Sequence, residues 1–314
     1  MTNLFIYLYG LSKNRNSFLS RIRFYSFLRI VIRTLANFTL PIYFRLTAKN
    51  IKYCLNEEIS NINNGIIISL TSFPGRIDRI WLVVETLLRQ TKKPDAIIIW
   101  LSRSQFQEID FLPKSLLAMR KRGLQIQLRD GDLRSHKKFY YVKSEFPNST
   151  IVLADDDIFY PTKMVEELSS AATAFPGKVI CRFSKKIQWS SEGEIFPYAA
   201  WKTVNEGRIG LDYFFGSGGG VLIPPSAIHA AVLDKDIFLK CCPHADDIWL
   251  NVMCRLVSLK MFSLRKPFTL LPVTNRDQSD LSSINNGQQM NDEQLNLVRK
   301  YCRDIHNIDP YVSV

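Results

Sequence analysis

The first fifty residues contain no aspartate and no glutamate. Lys13, Arg15, Arg21, Arg23, Arg29, Arg33, Arg45 and Lys49 in that stretch therefore carry most of the net charge of +12. The basicity belongs to an N-terminal arm and not to the whole chain. No recognised nucleic-acid-binding module surrounds it, so nucleic acid is not an expected partner. No stretch of the arm reaches the ~18 uninterrupted apolar residues of a spanning helix. Nor do a basic start, an apolar run and a small-residue cleavage site combine into a secretory signal. A cytoplasmic chain is the expectation. The six cysteines form no C-x-x-C pair and no cluster with zinc-ligand spacing. They read as small core side chains in a reducing compartment, with adjacent Cys241 and Cys242 the only candidate redox feature. No G-x-G-x-x-G fingerprint supports a dinucleotide site. With 46% hydrophobic and 22% charged residues, disordered, collagen-like and multi-span membrane classes are excluded.

What is present begins with the arm. Phe24, Phe27, Leu28, Val31, Leu35 and Phe38 recur at helical spacing on one stripe. Arg21, Arg29 and Arg33 gather on the opposite side. An apolar aromatic face beside a cationic one suits a helix lying in a membrane interface, in peripheral contact with the inner face of the cell membrane. The competing reading is a helix packed on the following domain with its arginines in solvent. Polar residues from Asn56 to Asn64 read as a linker, dividing an arm over residues 1–60 from a catalytic domain over 61–314.

From Gly65 onward apolar β-branched runs alternate with helical patterns. Strands are expected at Ile66–Leu70, Ala96–Leu101, Leu124–Leu128 and Thr150–Ala154. Helices are expected from Ile77 to Leu88, near Pro113–Arg122 and from about Ser135 to Glu145. This alternation predicts an α/β fold, a mostly parallel sheet flanked by helices. Ligands of such folds bind beyond the carboxyl ends of the strands.

Asp155, Asp156 and Asp157 stand in that place, directly after a buried strand. Three adjacent carboxylates repel one another unless a cation neutralises them, and Mg²⁺ or Mn²⁺ does so while also binding phosphate oxygens. On extended backbone Asp155 and Asp157 share a side, which makes Asp157 the expected metal ligand with Asp155 assisting. The alternative is a solvated turn capping a helix that begins at Pro161. The pair Asp130 and Asp132 is flanked by Arg129 and Arg134 and reads as a turn. Arg134, Lys137 and Lys138 are placed to meet a diphosphate, or else form a solvated helix start. Asp246 and Asp247 precede a helical pattern, where the dipole stabilises anions; one caps the helix and a second is available as a general base. Glycines 218–220 before Val221 allow a ligand close to the backbone, or only a flexible turn.

The runs IIISLTSFPGRI, IVLADDDIFYP, FFGSGGGVLIPP and HADDIWL together resemble the GT-A glycosyltransferases. They look closest to bacterial family-2-like enzymes of capsule and lipopolysaccharide synthesis, over about Gly65 to Leu271. The resemblance implies a GT-A-like (Rossmann-like) fold and a nucleotide-sugar donor. It places Thr71 in the nucleotide pocket, with Arg76, Lys137 and Asp156 toward the donor. Asp155 and Asp157 match the DxD motif for metal and sugar diphosphate, and Gly218, Gly219 and Gly220 match the loop on the acceptor side. Asp247 matches the base of inverting members, with Asp246 on an acceptor hydroxyl or the cap. The second strand ends in Trp100-Leu101-Ser102, where many relatives carry an aspartate on the base, so Trp100 is expected to stack there instead. The acceptor is a saccharide, lipid-linked if the arm meets a membrane. Two other classes stay open: a nucleotidyl- or phosphotransferase acting on sugar phosphates through the same aspartates, and a non-catalytic membrane binder.

Overall fold

The basic arm is helical through most of its described length, as α1 (Thr2–Leu11), α2 (Ser17–Arg21) and α3 (Phe24–Thr47). The computed structural model of the chain describes residues 1–12, 17–21, 23–48, 64–265, 269–274 and 290–312. The linker stretch, Asn64 apart, lies outside them. Helix α3 runs on to Thr47, past the Phe38 at which the sequence stripe ends. It buries Ile32, Ala36, Leu40 and Phe44, four residues apart on one face, in the core it shares with the sheet. Most of the stripe read from the sequence is on the opposite face, where Phe27 is 65% and Phe38 69% exposed, while Leu28 packs against the core. Packing and exposure, taken above as alternatives, are thus properties of two faces of one helix. Arg29 is exposed, as the packing reading expected of the arginines. Its guanidinium sits 4.6 Å from the Tyr9 ring and ties α3 to α1.

The apolar runs form β1 (Ile66–Thr71), β2 (Ala96–Ser102) and β4 (Thr150–Leu153), buried on both faces, and β3 (Leu124–Arg129), an edge strand that alternates buried with half-buried residues. Between them run α4 (Ile80–Leu88), α5 (Lys114–Arg120) and α6 (Lys137–Glu145). After β4 come β5 (Ile158–Phe159), α7 (Met164–Ala174), β6 (Val179–Cys181), β7 (Ser184–Lys186), β8 (Lys202–Val204), β9 (Arg208–Gly210), β10 (Tyr213–Phe215) and β11 (Val221–Ile223). Then follow α8 (Lys235–Cys241), α9 (Asp246–Leu256), β12 (Met261–Ser263), β13 (Leu271–Pro272) and α10 (Met290–His306).

The main sheet has the order β3-β2-β1-β4-β11-β6-β12-β9. Strands β3, β2, β1 and β4 are parallel, as are β6 and β12, while β11 and β9 run antiparallel to their neighbours. This is the mostly parallel, helix-flanked α/β sheet expected. Alternate residues of the strands serve opposite cores. Ile68, Leu70, Ile97 and Ile99 pack with α3, α4, α5 and α7, whereas Ile67, Ile98, Ile151 and Leu153 pack with α6, α9 and α10.

The order places β2 on one side of β1 and β4 on the other, so the strand order reverses there and opens a crevice at the strands' carboxyl ends. Leu153 at the end of β4 pairs with Ser69, so β1 runs on to Thr71 beside the residues that follow β4. The helix after the aspartates begins at Met164, not at Pro161. Tertiary hydrogen bonds hold the intervening residues: Gln90 donates to Pro161 O (2.8 Å) and Thr91 N–H to Thr162 O (2.8 Å).

Candidate active site

Strand β4 ends at Leu153, and Asp156 and Asp157 lie in the turn that follows. Extended backbone would separate adjacent side chains; the turn sends these two to one guanidinium. Arg76 Nη1 is 2.8 Å from Asp156 Oδ1 and 2.8 Å from Asp157 Oδ2. Ser72 Oγ donates to Asp156 at 2.6 Å. Burial pushes the Asp156 carboxyl up, and Arg76 and Ser72 pull against it. The expected sharing of a side by Asp155 and Asp157 is therefore replaced by a pairing of Asp156 with Asp157.

Asp155 takes a different cation. Lys138 Nζ, buried in the first turn of α6, lies 2.6 Å from Asp155 Oδ1, 2.7 Å from Ser217 Oγ and 3.0 Å from Asp246 Oδ2. Burial alone would lower the lysine's pKa, but Asp155, Asp246 and Asp247 raise it well above its ordinary value. Lys138 thus stays charged and joins the aspartates after β4 to those opening α9.

Asp246 and Asp247 begin α9 as expected. Burial favours the neutral form of Asp246, yet Lys138 holds its carboxyl below the usual range. Asp247 is treated oppositely. Burial and the Asp246 charge push it up to about 7, despite Lys138 and the Ser217 N–H that donates to its Oδ1 at 2.9 Å. Two adjacent carboxyls with pKa values driven apart are the environment in which one can exchange a proton near neutrality.

These groups line a single cleft of ≈ 490 Å³. Of the residues singled out in the sequence, Thr71, Arg76, Lys137, Asp155, Asp156, Asp157, Asp246 and Asp247 meet there. Four others do not. The Trp100 ring is fully buried, its Nε1 donating to Ser69 Oγ at 2.9 Å beneath α6, so it offers no face to a nucleotide base. Gly218, Gly219 and Gly220 lie behind the wall. A Cβ at Gly218 would stand 2.2 Å from Asp155 Oδ2, and Gly220 has φ +88° with Met164 Sδ 2.7 Å from its missing Cβ. The glycines admit Asp155, and their neighbour Ser217 reaches the cleft in their place. Two further roles change in detail. The Thr71 hydroxyl donates to Trp100 O at 2.7 Å, and Lys137 is 2.5 Å from Asp132, which it neutralises together with Arg134, while Arg129 pairs with Glu145.

Tyr198 and Phe214, which the sequence did not single out for the site, stand at the Asp247 end with ring centroids 5.5 Å apart. Tyr198 belongs to a short turn far from any motif. Asp292 at the start of α10, accepting from its N–H at 2.7 Å, holds it in place. His244 also lines the cleft and is held near Arg134, whose charge, after burial, keeps the imidazole low.

A divalent ion fits this donor set on charge. Six carboxylates line the cleft against Arg76, Arg134, Lys137 and Lys138, so the lining stays anionic by a single charge when Asp247 is protonated. Among the described residues no three Asp, Glu, His or Cys side chains converge as a metal cage. An ion here would meet Asp157 in competition with Arg76 and Asp155 in competition with Lys138, and would draw its other ligands from phosphates or water.

The two cysteines considered for redox chemistry are buried free thiols whose pKa values burial pushes up, well up for Cys242. They are poor thiolates.

Comparison with protein-family models finds no match, and comparison with curated proteins finds none. Solved structures do give matches. The mannosyltransferase PcManGT from Pyrobaculum calidifontis, solved with GDP-Man and Mn²⁺, is 11% identical with TM-score 0.32, over 48% of this chain and 45% of that one. The chain thus spans under half the length of that enzyme. A 4-diphosphocytidyl-2C-methyl-D-erythritol synthase is 8% identical with TM-score 0.41, over 71% of this chain and 97% of the other. HddC from Yersinia pseudotuberculosis, complexed with GMP-PN, is 9% identical with TM-score 0.32, over 52% and 78%.

Proposed function

We propose that the chain is a metal-dependent GT-A-type glycosyltransferase moving a sugar from a nucleotide-sugar donor to a saccharide acceptor, with inversion. One observation carries the reading: the aspartates after β4 and the carboxyl pair opening α9 face one cleft, with Lys138 between them. Asp247 accepts the proton of the acceptor hydroxyl. That oxygen forms the new bond to the anomeric carbon as the bond to the nucleoside diphosphate breaks, its electron pair leaving with the phosphate. Asp246, ion-paired to Lys138, stays ionised and keeps Asp247 basic enough for the task. Arg76 fixes the turn carrying Asp157, and the aromatic pair Tyr198 and Phe214 offers a surface for a sugar ring on the acceptor side. Mn²⁺ or Mg²⁺, held by Asp155 and Asp157, would neutralise the departing diphosphate. The acceptor is lipid-linked where the N-terminal helices keep the chain peripheral on the inner face of the cell membrane, in capsule or lipopolysaccharide synthesis.

Nucleotide sugars screened by thermal shift with and without Mn²⁺ test the donor, since ligand binding raises apparent stability by mass action. Stabilisation by none of them would sink the proposal. A nucleotidyl- or phosphotransferase is the second reading, favoured by the cations Arg76, Lys137 and Lys138 in the same cleft, which suit a triphosphate equally. A sugar-phosphate or nucleotide-sugar product in place of a glycosidic bond selects it.

A further inference from the structure

Helix α3 has two apolar faces, and among the described residues only one is packed against this chain. Phe27, Leu35, Phe38 and Leu46 are each at least half exposed, and α1, packed beside it, exposes Leu4 and Tyr7. Scattered apolar residues are ordinary on a surface, but a continuous aromatic and aliphatic face over two adjacent helices marks an interaction site. The charge around it narrows the partner. Residues 1–50 carry eight cations and no anion, and Arg21 and Arg23 are exposed where α3 begins.

By length and composition α3 is able to cross a membrane. Its attachments to the fold prevent that. Its other face sits in the sheet's core, and Asn37 at mid-helix donates to Pro272 O at 2.9 Å and accepts from Thr274 N–H at 2.8 Å. Between those two residues Val273 N–H donates to Asp157 O at 2.7 Å. Helix α1 is clamped similarly: Asn3 donates to Thr162 Oγ1 at 2.8 Å and accepts from Thr162 N–H at 3.1 Å. Both helices are therefore fixed by an asparagine to the segments that flank the aspartate turn.

We propose that α1 and α3 form one docking face for an anionic lipid bilayer, on which both helices lie flat, and that Asn3 and Asn37 thereby hold the cleft at a fixed position above the lipid. An aromatic face with surrounding cations is what interfacial binding needs: apolar area to insert and charge to meet anionic headgroups. The inference gives a structural form to the peripheral membrane contact proposed above, and lipid binding requires no transfer chemistry.

The test is co-sedimentation of the full chain with vesicles of phosphatidylcholine alone and of phosphatidylcholine mixed with phosphatidylglycerol. The double variant Phe27→Glu/Phe38→Glu changes two exposed side chains, and its unfolding curve establishes that it is folded. The parent should bind the anionic vesicles preferentially and be released by alkaline carbonate, and the variant should bind roughly tenfold or more weakly. Parental binding by the folded variant would overturn the face. Carbonate-resistant binding would overturn the flat arrangement. A dimer seen by sedimentation without lipid, abolished by the variant and accompanied by no vesicle binding, would assign the face to a second copy of the chain. Vesicle binding as expected, with no nucleotide sugar bound, would leave the docking face standing and remove the glycosyltransferase reading alone.

Discussion

Lys138 lies 2.6 Å from Asp155, and through that ammonium two acidic motifs far apart in the chain become one site. The same nitrogen is 3.0 Å from Asp246. Removing it as Lys138→Met leaves buried carboxylates without their cation, which should destabilise the fold by ~3–5 kcal/mol. Denaturant unfolding measures this. Adding Asp246→Asn should restore part of the loss; strictly additive effects would show that the pair is not coupled.

Asp247→Asn retains an oxygen for the Ser217 N–H and should slow transfer by a factor of ~10²–10⁴ with donor affinity preserved. Asp246→Asn should retain more activity if Asp246 only tunes its neighbour. Turnover and donor dissociation constants for both variants decide. An inactive Asp246→Asn beside a near-parental Asp247→Asn would reverse the assignment, and two active variants would turn attention to His244.

The pH dependence follows from the same carboxyl. Transfer should rise with pH through about 7 as Asp247 ionises. Stability should move the other way. An unfolded aspartate has lost its proton above about pH 4, whereas folded Asp247 keeps it to about 7. Unfolding therefore releases a proton in that window and stability falls as pH rises. In Asp247→Asn this component of the slope should vanish, as unfolding curves at about pH 4 and about pH 8, at the two ends of the window, would reveal.

Asp157→Asn leaves Arg76 bonded to Asp156, so stability should change by only about 1 kcal/mol or less. Mn²⁺-dependent stabilisation by a nucleotide sugar should disappear. If thermal shift shows it unchanged, Asp157 is not the ligand.

Gly218→Ala would bring a methyl against the Asp155 carboxylate. Overpacking at this point should cost ~1–3 kcal/mol and weaken donor binding, because Asp155 must move from Lys138. A variant with parental stability and donor affinity would show that the loop gives way instead.

Leu40→Ala tests the N-terminal packing. Leu40 is completely buried, so its truncation should cost ~2–5 kcal/mol. A loss of a few tenths, measured by denaturant unfolding, would mean that α3 is not part of the cooperative core.

Local pattern was enough for the four parallel strands β1 to β4, for the helices between them, and for α3 and α9. Ile66–Leu70 and Ala96–Leu101 are apolar runs because a parallel strand is buried on both faces, and the acidic groups after β4 stand where such sheets bind ligands. The six conspicuous carboxyl and basic positions around Arg76, Asp155–Asp157 and Asp246–Asp247 do meet in the cleft. What needed the folded chain was each group's partner. Nothing local distinguishes Lys138 from Lys137; the helix turn buries both but aims one at Asp155 and the other at Asp132. Backbone alternation assigned Asp155 and Asp157 to one side, and a turn closed by Arg76 overruled it. Trp100 and the glycines were misplaced for a related reason: a strand's period tells which residues share a face, not which face covers a helix and which opens to a ligand. The stripe on α3 had the same ambiguity, since helical spacing marks an apolar face without saying what lies against it. Those answers depend on contacts between residues distant in sequence, and only the tertiary structure contains them.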